Sequence, residues 1–175
     1  MLIKDQDFKD KAIEQIAEEM CLAARTAPKA KGLDFLEIAI IKDETIKKLS
    51  DKMKQIGDER QHFTFQRDSQ SILSAQVMIL IGTKKQTIGL KYCGFCGFAD
   101  CTAAEKAGAL CAYNSGDLGI AIGSAVSVAM DHRLDNRIMY SAGKAAVELG
   151  LLGKDVVAAF GIPLSASAKN PFFDR

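Results

Sequence analysis

One stretch of sequence decides the fold: Asp117-Leu-Gly-Ile-Ala-Ile-Gly-Ser-Ala-Val-Ser-Val-Ala-Met130. Asp117 is a favourable N-cap, and the residues after it are apolar on nearly every side of a helix. Because such a helix has no face suited to water, it lies inside a domain. Its Gly and Ala residues keep its surface flat, so that neighbouring elements can approach closely. The sequence therefore predicts a central helix, Leu118–Met130.

The same stretch and the overall composition limit the cellular location of the protein and the partners that it can bind. A membrane-spanning helix needs about 20 apolar residues, more than this run contains. The chain starts Met1-Leu-Ile-Lys-Asp-Gln-Asp7 and enters a charged helical pattern without an apolar signal region. The net charge is only +1, whereas a nucleic-acid binder needs an excess of Lys and Arg. We expect a cytoplasmic protein that binds neither membrane nor nucleic acid.

Helical and strand patterns follow one another on both sides of the central helix. Helices are predicted at 5–26, 43–57, 68–74 and 135–149, and strands at 34–41, 77–81 and 156–162. The run at 34–41 is apolar without alternation, which is typical of a strand covered on both faces. A chain of 175 residues suits one domain with a real core. We expect a single domain, residues 1–175, of the α/β (α+β) class.

Four of the five cysteines lie in one Gly- and Phe-rich loop, residues 85–116. They are Cys93, Cys96, Cys101 and Cys111, with the spacing Cys-x2-Cys-x4-Cys-x9-Cys. In a reducing compartment, clustered cysteines are ligands or redox pairs more often than structural bridges. Four converging thiolates can hold a zinc ion or the irons of a cluster. The sequence therefore predicts a metal site formed by these four cysteines.

The residues between these cysteines suit such a site. Gly94 and Gly97 allow the positive backbone torsions that a tight curl requires, and backbone N–H groups in a curl can point at an anionic centre. Tyr92, Phe95 and Phe98 alternate with the cysteines and are expected to shield the site from water. A loop of about 30 residues with few large aliphatics also needs its metal in order to fold.

Three interpretations of the cysteine loop stay open. Zinc ribbons usually have two close cysteine pairs, and here only Cys93 and Cys96 are close. A redox disulfide between these two lacks the strand-to-helix context of thioredoxin-like motifs. We favour an iron–sulfur cluster of the 4Fe–4S type, with structural zinc as the alternative.

The loop and two further segments resemble a known family. The segments are Tyr92-Cys-Gly-Phe-Cys-Gly-Phe-Ala-Asp-Cys101, residues 117–123 and residues 161–175. They look like an uncharacterised prokaryotic family whose members are described as containing a ferredoxin domain. The resemblance covers essentially the whole chain and implies iron–sulfur binding without an assigned activity. The cysteine spacing differs from the Cys-x2-Cys-x2-Cys-x3-Cys-Pro run of bacterial ferredoxins.

The order of elements is similar to that of flavin-dependent nitroreductases, which are homodimers that bind FMN between subunits. This similarity implies a three-layer arrangement of sheet and helices around the central helix, a homodimer, and FMN as a further cofactor. In those enzymes a pair of arginines before a serine holds the phosphate, and Met1–Asp7 has no counterpart. Arg25, or Lys29 and Lys31, are the candidates to replace it.

These observations lead to two main hypotheses and one further alternative. The first is a redox protein that passes single electrons to a redox partner protein or acts as a component of an oxidoreductase. The second is a zinc-stabilised interaction module without redox chemistry. The further alternative is an FMN-dependent, nitroreductase-like enzyme. Whether Cys21, His62 or His132 has a role stays open; a buried thiol is the favoured interpretation of Cys21, and a cation at the end of the central helix that of His132.

The C-terminal tail is expected to be ordered. It reads Pro171-Phe-Phe-Asp-Arg175 and carries two aromatic anchors, Phe172 and Phe173. Because large exposed aromatic rings at the end of a chain are unfavourable in water, we expect the tail to dock on its own or on the partner subunit. We expect a homodimer.

Overall fold

The computed structural model describes residues 1–173. Its helices are α1 Asp5–Thr26, α2 Asp43–Arg60, α3 Phe63–Ser71, α4 Cys101–Lys106, α5 Ala112–Asp131 and α6 Tyr140–Glu148. Its strands are β1 Leu36–Ile41, β2 Val77–Lys84, β3 Asp135–Asn136 and β4 Val156–Ser165. They form one antiparallel sheet in the order β1-β2-β4-β3. Short 3-10 turns lie at Ala30–Gly32 and Ile72–Ser74.

The sheet lies between two layers of helices, because alternate residues of β2 enter two different cores. Val77, Ile79 and Ile81 pack with α1 and α5. Met78 and Leu80 face the other way and pack with α2, α3 and α6. All five are at most 1% exposed. Since side chains of a strand alternate between faces, this burial requires cover on both sides and confirms the predicted three-layer α+β fold.

The central helix differs from its prediction in where it starts. Asp117 was predicted as its N-cap, but α5 begins at Ala112 and Cys111 occupies the N-cap position. The Asp117 carboxylate is buried and accepts a hydrogen bond at Oδ2 from the backbone N–H of Ala30, at 3.0 Å. The side chain therefore joins α5 to the α1–β1 connection instead of capping the helix.

The central helix also differs in its cover. One side of α5 is buried against α1 and the sheet, and it carries Leu118, Ala121 and Ala125. Its opposite side is exposed, and this exposed face of α5 consists of small or apolar residues: Gly116, Gly119, Ile120, Gly123, Ser127 and Met130. A Cβ atom added at any of the three glycines would meet no atom within 4 Å. The helix is therefore buried on one side only within this chain.

Three other elements differ from their predictions. The predicted helix 135–149 is shorter, because Asp135 and Asn136 pair with β4 before α6 begins. Asp68, predicted as a cap, lies within α3, where its buried carboxylate accepts hydrogen bonds from Arg67 and Ser141. Strand β1 is an edge strand with Ile40 38% exposed, so it is not covered on both faces.

The C-terminal tail docks on its own chain. Phe172 is 1% exposed and belongs to the core formed with α2 and α6. Arg137 donates from Nη1 to the backbone oxygen of Phe172 at 2.7 Å and places its guanidinium 4.8 Å from the ring centre of Phe173. Asp174 and Arg175 lie outside the described residues. Within residues 1–173, no helix combines the length and apolarity that a membrane span requires.

Candidate metal centre

The cysteine loop leaves β2 and makes a tight turn between its first two cysteines. Gly94 and Gly97 have φ angles of 81° and 84°, in the left-handed region that was predicted for them. The backbone N–H of Gly97 donates to the backbone oxygen of Gly94 at 2.9 Å, which closes the turn. Cys93 precedes this turn, Cys96 lies within it, and both line the cavity described below. The glycines thus allow the close cysteine pair to face one centre.

The other two cysteines lie at helix starts. Asp100 accepts a hydrogen bond at Oδ1 from the backbone N–H of Ala103, at 2.8 Å, and so caps α4. Cys101 is the first residue of α4. Cys111 is the N-cap of the 20-residue α5. The N-terminus of a helix favours negative charge, which suits an anionic centre at this position.

All four loop cysteines line one small cavity of about 30 Å³. Cys111 is buried, and the other three are half-buried. Leu90, Phe98 and Ala104 add apolar wall to the same cavity. As the side chains stand in residues 1–173, no three His, Cys, Asp or Glu residues are close enough to hold a metal ion. The chain thus gathers the four thiols around one space without bringing them into bonding geometry.

The residues that line the cavity suit a thiolate-bound centre. Four cysteines form the soft donor set that zinc and iron–sulfur clusters require, and the apolar wall excludes water. The cavity volume of about 30 Å³ is the space left among the lining side chains as they stand. The loop is poorly covered, since Tyr92 is 98% and Phe95 76% exposed. Of the three aromatics predicted as a shield, only Phe98 lines the cavity.

Asn114 holds the two ends of the loop together and was missed by the sequence analysis. Its Nδ2 donates to the backbone oxygens of Gln86 at 2.6 Å and Lys84 at 3.2 Å. The residue is 1% exposed, three positions after Cys111. A polar residue in the first turn of an apolar helix is the sequence signal that could have identified it.

Cys21, His62 and His132 do not line this cavity. Cys21 in α1 packs against the core beside the sheet, and burial raises its pKa from 9.0 to about 11. His62 lies 3.3 Å from the hydroxyl of Tyr140. His132 follows α5 and pairs with Glu19 at 3.4 Å. Each therefore has a structural partner elsewhere in the fold.

The three basic residues considered for a phosphate are engaged within the chain. Arg25 donates from Nη1 to Asp34 at 2.7 Å and to the backbone oxygen of Leu36 at 3.1 Å. The Lys29 ammonium donates to three backbone oxygens at the end of α1, at 2.6 to 2.8 Å. Lys31 reaches the backbone oxygen of Ile88 at 3.4 Å. These contacts fix the α1–β1 connection.

Solved structures with the same arrangement define the class of fold. A nitroreductase with bound FMN from Desulfitobacterium hafniense DCB-2 superposes with a TM-score of 0.62 at 12% identity, covering 89% of this chain and 79% of that one. A variant of the FMN- and NADPH-dependent nitroreductase NfnB from Sphigopyxis sp. strain HMH gives 0.59 at 12% identity, over 90% and 81% of the two chains. The protein therefore has a nitroreductase-like α+β fold.

Sequence comparison then gives the family. An uncharacterized protein of Archaeoglobus fulgidus is 41% identical over 184 residues, spanning 100% of this chain and 98% of the relative. The sequence profile of a family described as uncharacterized protein containing a ferredoxin domain matches residues 107–175, a segment that includes Cys111. The chain belongs to this family of proteins with a ferredoxin domain.

Proposed function

We propose that this protein is an iron–sulfur redox protein whose cluster is bound by Cys93, Cys96, Cys101 and Cys111. The observation that carries the proposal is the shared cavity: all four loop cysteines line it, and Cys21 does not. The family description, which includes a ferredoxin domain, supports the same chemistry.

Different residues of the chain would have different roles in such a site. The turn at Gly94 and Gly97 would present the first two thiolates, and the N-terminus of α5 suits an anionic centre next to Cys111. Phe98 keeps water from one side of the cavity. Four thiolates are the ligand number of both 2Fe–2S and 4Fe–4S clusters, and we propose the 4Fe–4S type. When bound, the cluster would accept and release single electrons, which a redox partner protein supplies or removes.

Metal and sulfide content after anaerobic purification tests this proposal. We expect a brown protein with iron and inorganic sulfide in roughly equal amounts. Cys96→Ser should lose most of the visible absorption, because a hydroxyl replaces one thiolate ligand. Cys21→Ser is the matched control and should keep both colour and iron. A colourless protein with one zinc per chain would contradict the proposal and favour the zinc-stabilised interaction module.

FMN-dependent activity is a second candidate, favoured by the fold. Both nitroreductase structures compared above are named as FMN proteins. Arg25, Lys29 and Lys31 already have partners in this chain, so the replacement phosphate site proposed from the sequence would have to break them. Flavin released by denaturing the purified protein, identified by chromatography, tests this candidate directly.

A homodimer is the assembly that we propose. The exposed face of α5 is apolar and flat, and a second copy of the same face could approach it closely. The tail docks on its own chain and leaves this face uncovered within residues 1–173.

A further inference from the structure

A second and larger cavity adjoins the one lined by the cysteines. Its volume is about 410 Å³, within the range of roughly 300–1,000 Å³ that small-molecule sites occupy. Ala112 and Tyr113 line both cavities, so one wall separates them. The other lining residues come from the α1–β1 connection, the cysteine loop and α5: Pro28, Lys29, Ala30, Phe95, Gly116, Asp117 and Ile120.

Two stacked aromatic rings form the side of this cavity next to the cysteines. The rings of Phe95 and Tyr113 are nearly parallel, with centres 5.8 Å apart and an angle of 17° between their planes. Phe95 lies between Cys93 and Cys96 in the sequence and is 76% exposed. Ile120, on the α5 side, is 50% exposed. An exposed aromatic pair opposite an aliphatic side chain favours a flat apolar ligand.

The charged groups in the wall are already paired. Lys29 is the cation of the lining, and its ammonium donates to the backbone oxygens of Ala24, Arg25 and Ala27. Desolvation by burial lowers the pKa of Lys29, and all three of these acceptors belong to its own chain. Asp117 is the carboxylate of the lining and is 7% exposed, with a backbone N–H bonded to it. A phosphate placed here would meet a carboxylate and no unengaged lysine of the lining.

We propose that this cavity binds an uncharged planar aromatic ring and makes no use of a phosphate. The ring lies against Phe95 and Tyr113, one wall away from the cysteines. Binding of the ring does not depend on a cluster. Its role as the molecule that exchanges electrons with the cysteine site rests on the proposed function. The cavity thus differs in charge from a site built to hold FMN by its phosphate.

Riboflavin and FMN are a matched pair of probes, because they share ring and ribityl chain and differ only in the phosphate. Each is titrated into the anaerobically purified protein, and binding is followed by flavin fluorescence, which stacking on an aromatic side chain quenches. We expect riboflavin to bind at least as tightly as FMN. Tighter binding of FMN, or no binding of riboflavin, would overturn the proposal.

Two variants locate the binding. Ile120→Glu places a carboxylate in this cavity without touching the cysteine cavity, and should weaken riboflavin binding by about tenfold or more. Gln55→Glu adds the same charge on α2, outside the lining and away from the exposed face of α5, and should leave the affinity unchanged. Unchanged binding by the Ile120 variant would overturn the proposal. Iron and sulfide, measured in the same samples, report on the cluster separately.

Discussion

Asn114 donates a hydrogen bond from Nδ2 to the backbone oxygen of Gln86 at 2.6 Å, across the base of the cysteine loop. The same amide nitrogen bonds the backbone oxygen of Lys84, the last residue of β2. Because Asn114 lies one turn into α5, it ties the helix that begins after Cys111 to the strand from which the loop departs. The two ends of the loop are therefore fixed even though its middle is exposed.

Replacing Asn114 by Ala should weaken both the fold and the metal site. Two backbone oxygens lose a buried donor, which costs about 1–3 kcal/mol of unfolding free energy. The loop ends can then separate, so iron bound per chain should fall as well. Urea denaturation and iron analysis measure the two effects. Ser115→Ala, at the exposed neighbouring position, is the control, and equal behaviour of both variants would contradict the role of Asn114.

Local patterns predicted the parts of the structure that local chemistry determines. Helix α1 has its predicted bounds, because its apolar spacing and the following Pro28 are signals within one segment. The turn between Cys93 and Cys96 was predicted for a similar reason, since Gly94 and Gly97 suit positive φ whatever surrounds them.

Long-range contacts account for what the sequence did not reveal. Asp117 has the residue type of an N-cap, but the backbone of Ala30, 87 positions away, is its partner. The exposure of Phe95 depends equally on tertiary structure, since an aromatic residue in a loop can face a metal site or a neighbouring ring such as Tyr113. No local pattern distinguishes such outcomes.

Cys21 should react slowly with iodoacetamide in the folded protein. Burial raises its pKa from 9.0 to about 11, so at pH 8 the reactive thiolate should be about a hundredfold rarer than for an unburied cysteine. Since the fold favours the neutral thiol, the stability contributed by this group is present below pH 9 and is lost as pH rises towards 11. Mass spectrometry after timed alkylation measures the rate.

The same chain in urea provides the control for Cys21. Unfolding removes the burial, so alkylation at pH 8 should become much faster. For the folded protein, the rate should increase about tenfold per pH unit up to the raised pKa. Equal rates for folded and unfolded chains would show that the thiol is not protected.

Gly123→Arg should convert the proposed homodimer into a monomer. The residue lies on the exposed face of α5, and a Cβ atom added there has open space around it. Arg also favours helix by about 0.8 kcal/mol relative to Gly, so the monomer itself should not be weakened. Light scattering should give the mass of two chains for the natural protein and one for the variant.

A second arginine variant separates the effect of position from that of charge. Gln55→Arg adds the same side chain to α2, in the helical layer on the other side of the sheet. It should remain a dimer. If both variants have the mass of the natural protein, the exposed face of α5 is not the interface.

Phe172→Ala should lower stability more than removal of an exposed aromatic ring. Phe172 is 1% exposed in the core with α2 and α6, and truncation of a buried Phe costs about 3–5 kcal/mol of unfolding free energy. Phe63→Ala removes a ring that is 70% exposed and should change the melting temperature little. Deleting residues 171–175 should match the Phe172 variant, since both remove the same anchor. Because the tail docks on its own chain, neither change should alter the mass measured by light scattering. If the Phe172 variant has the same melting temperature as the Phe63 control, the tail does not anchor the fold.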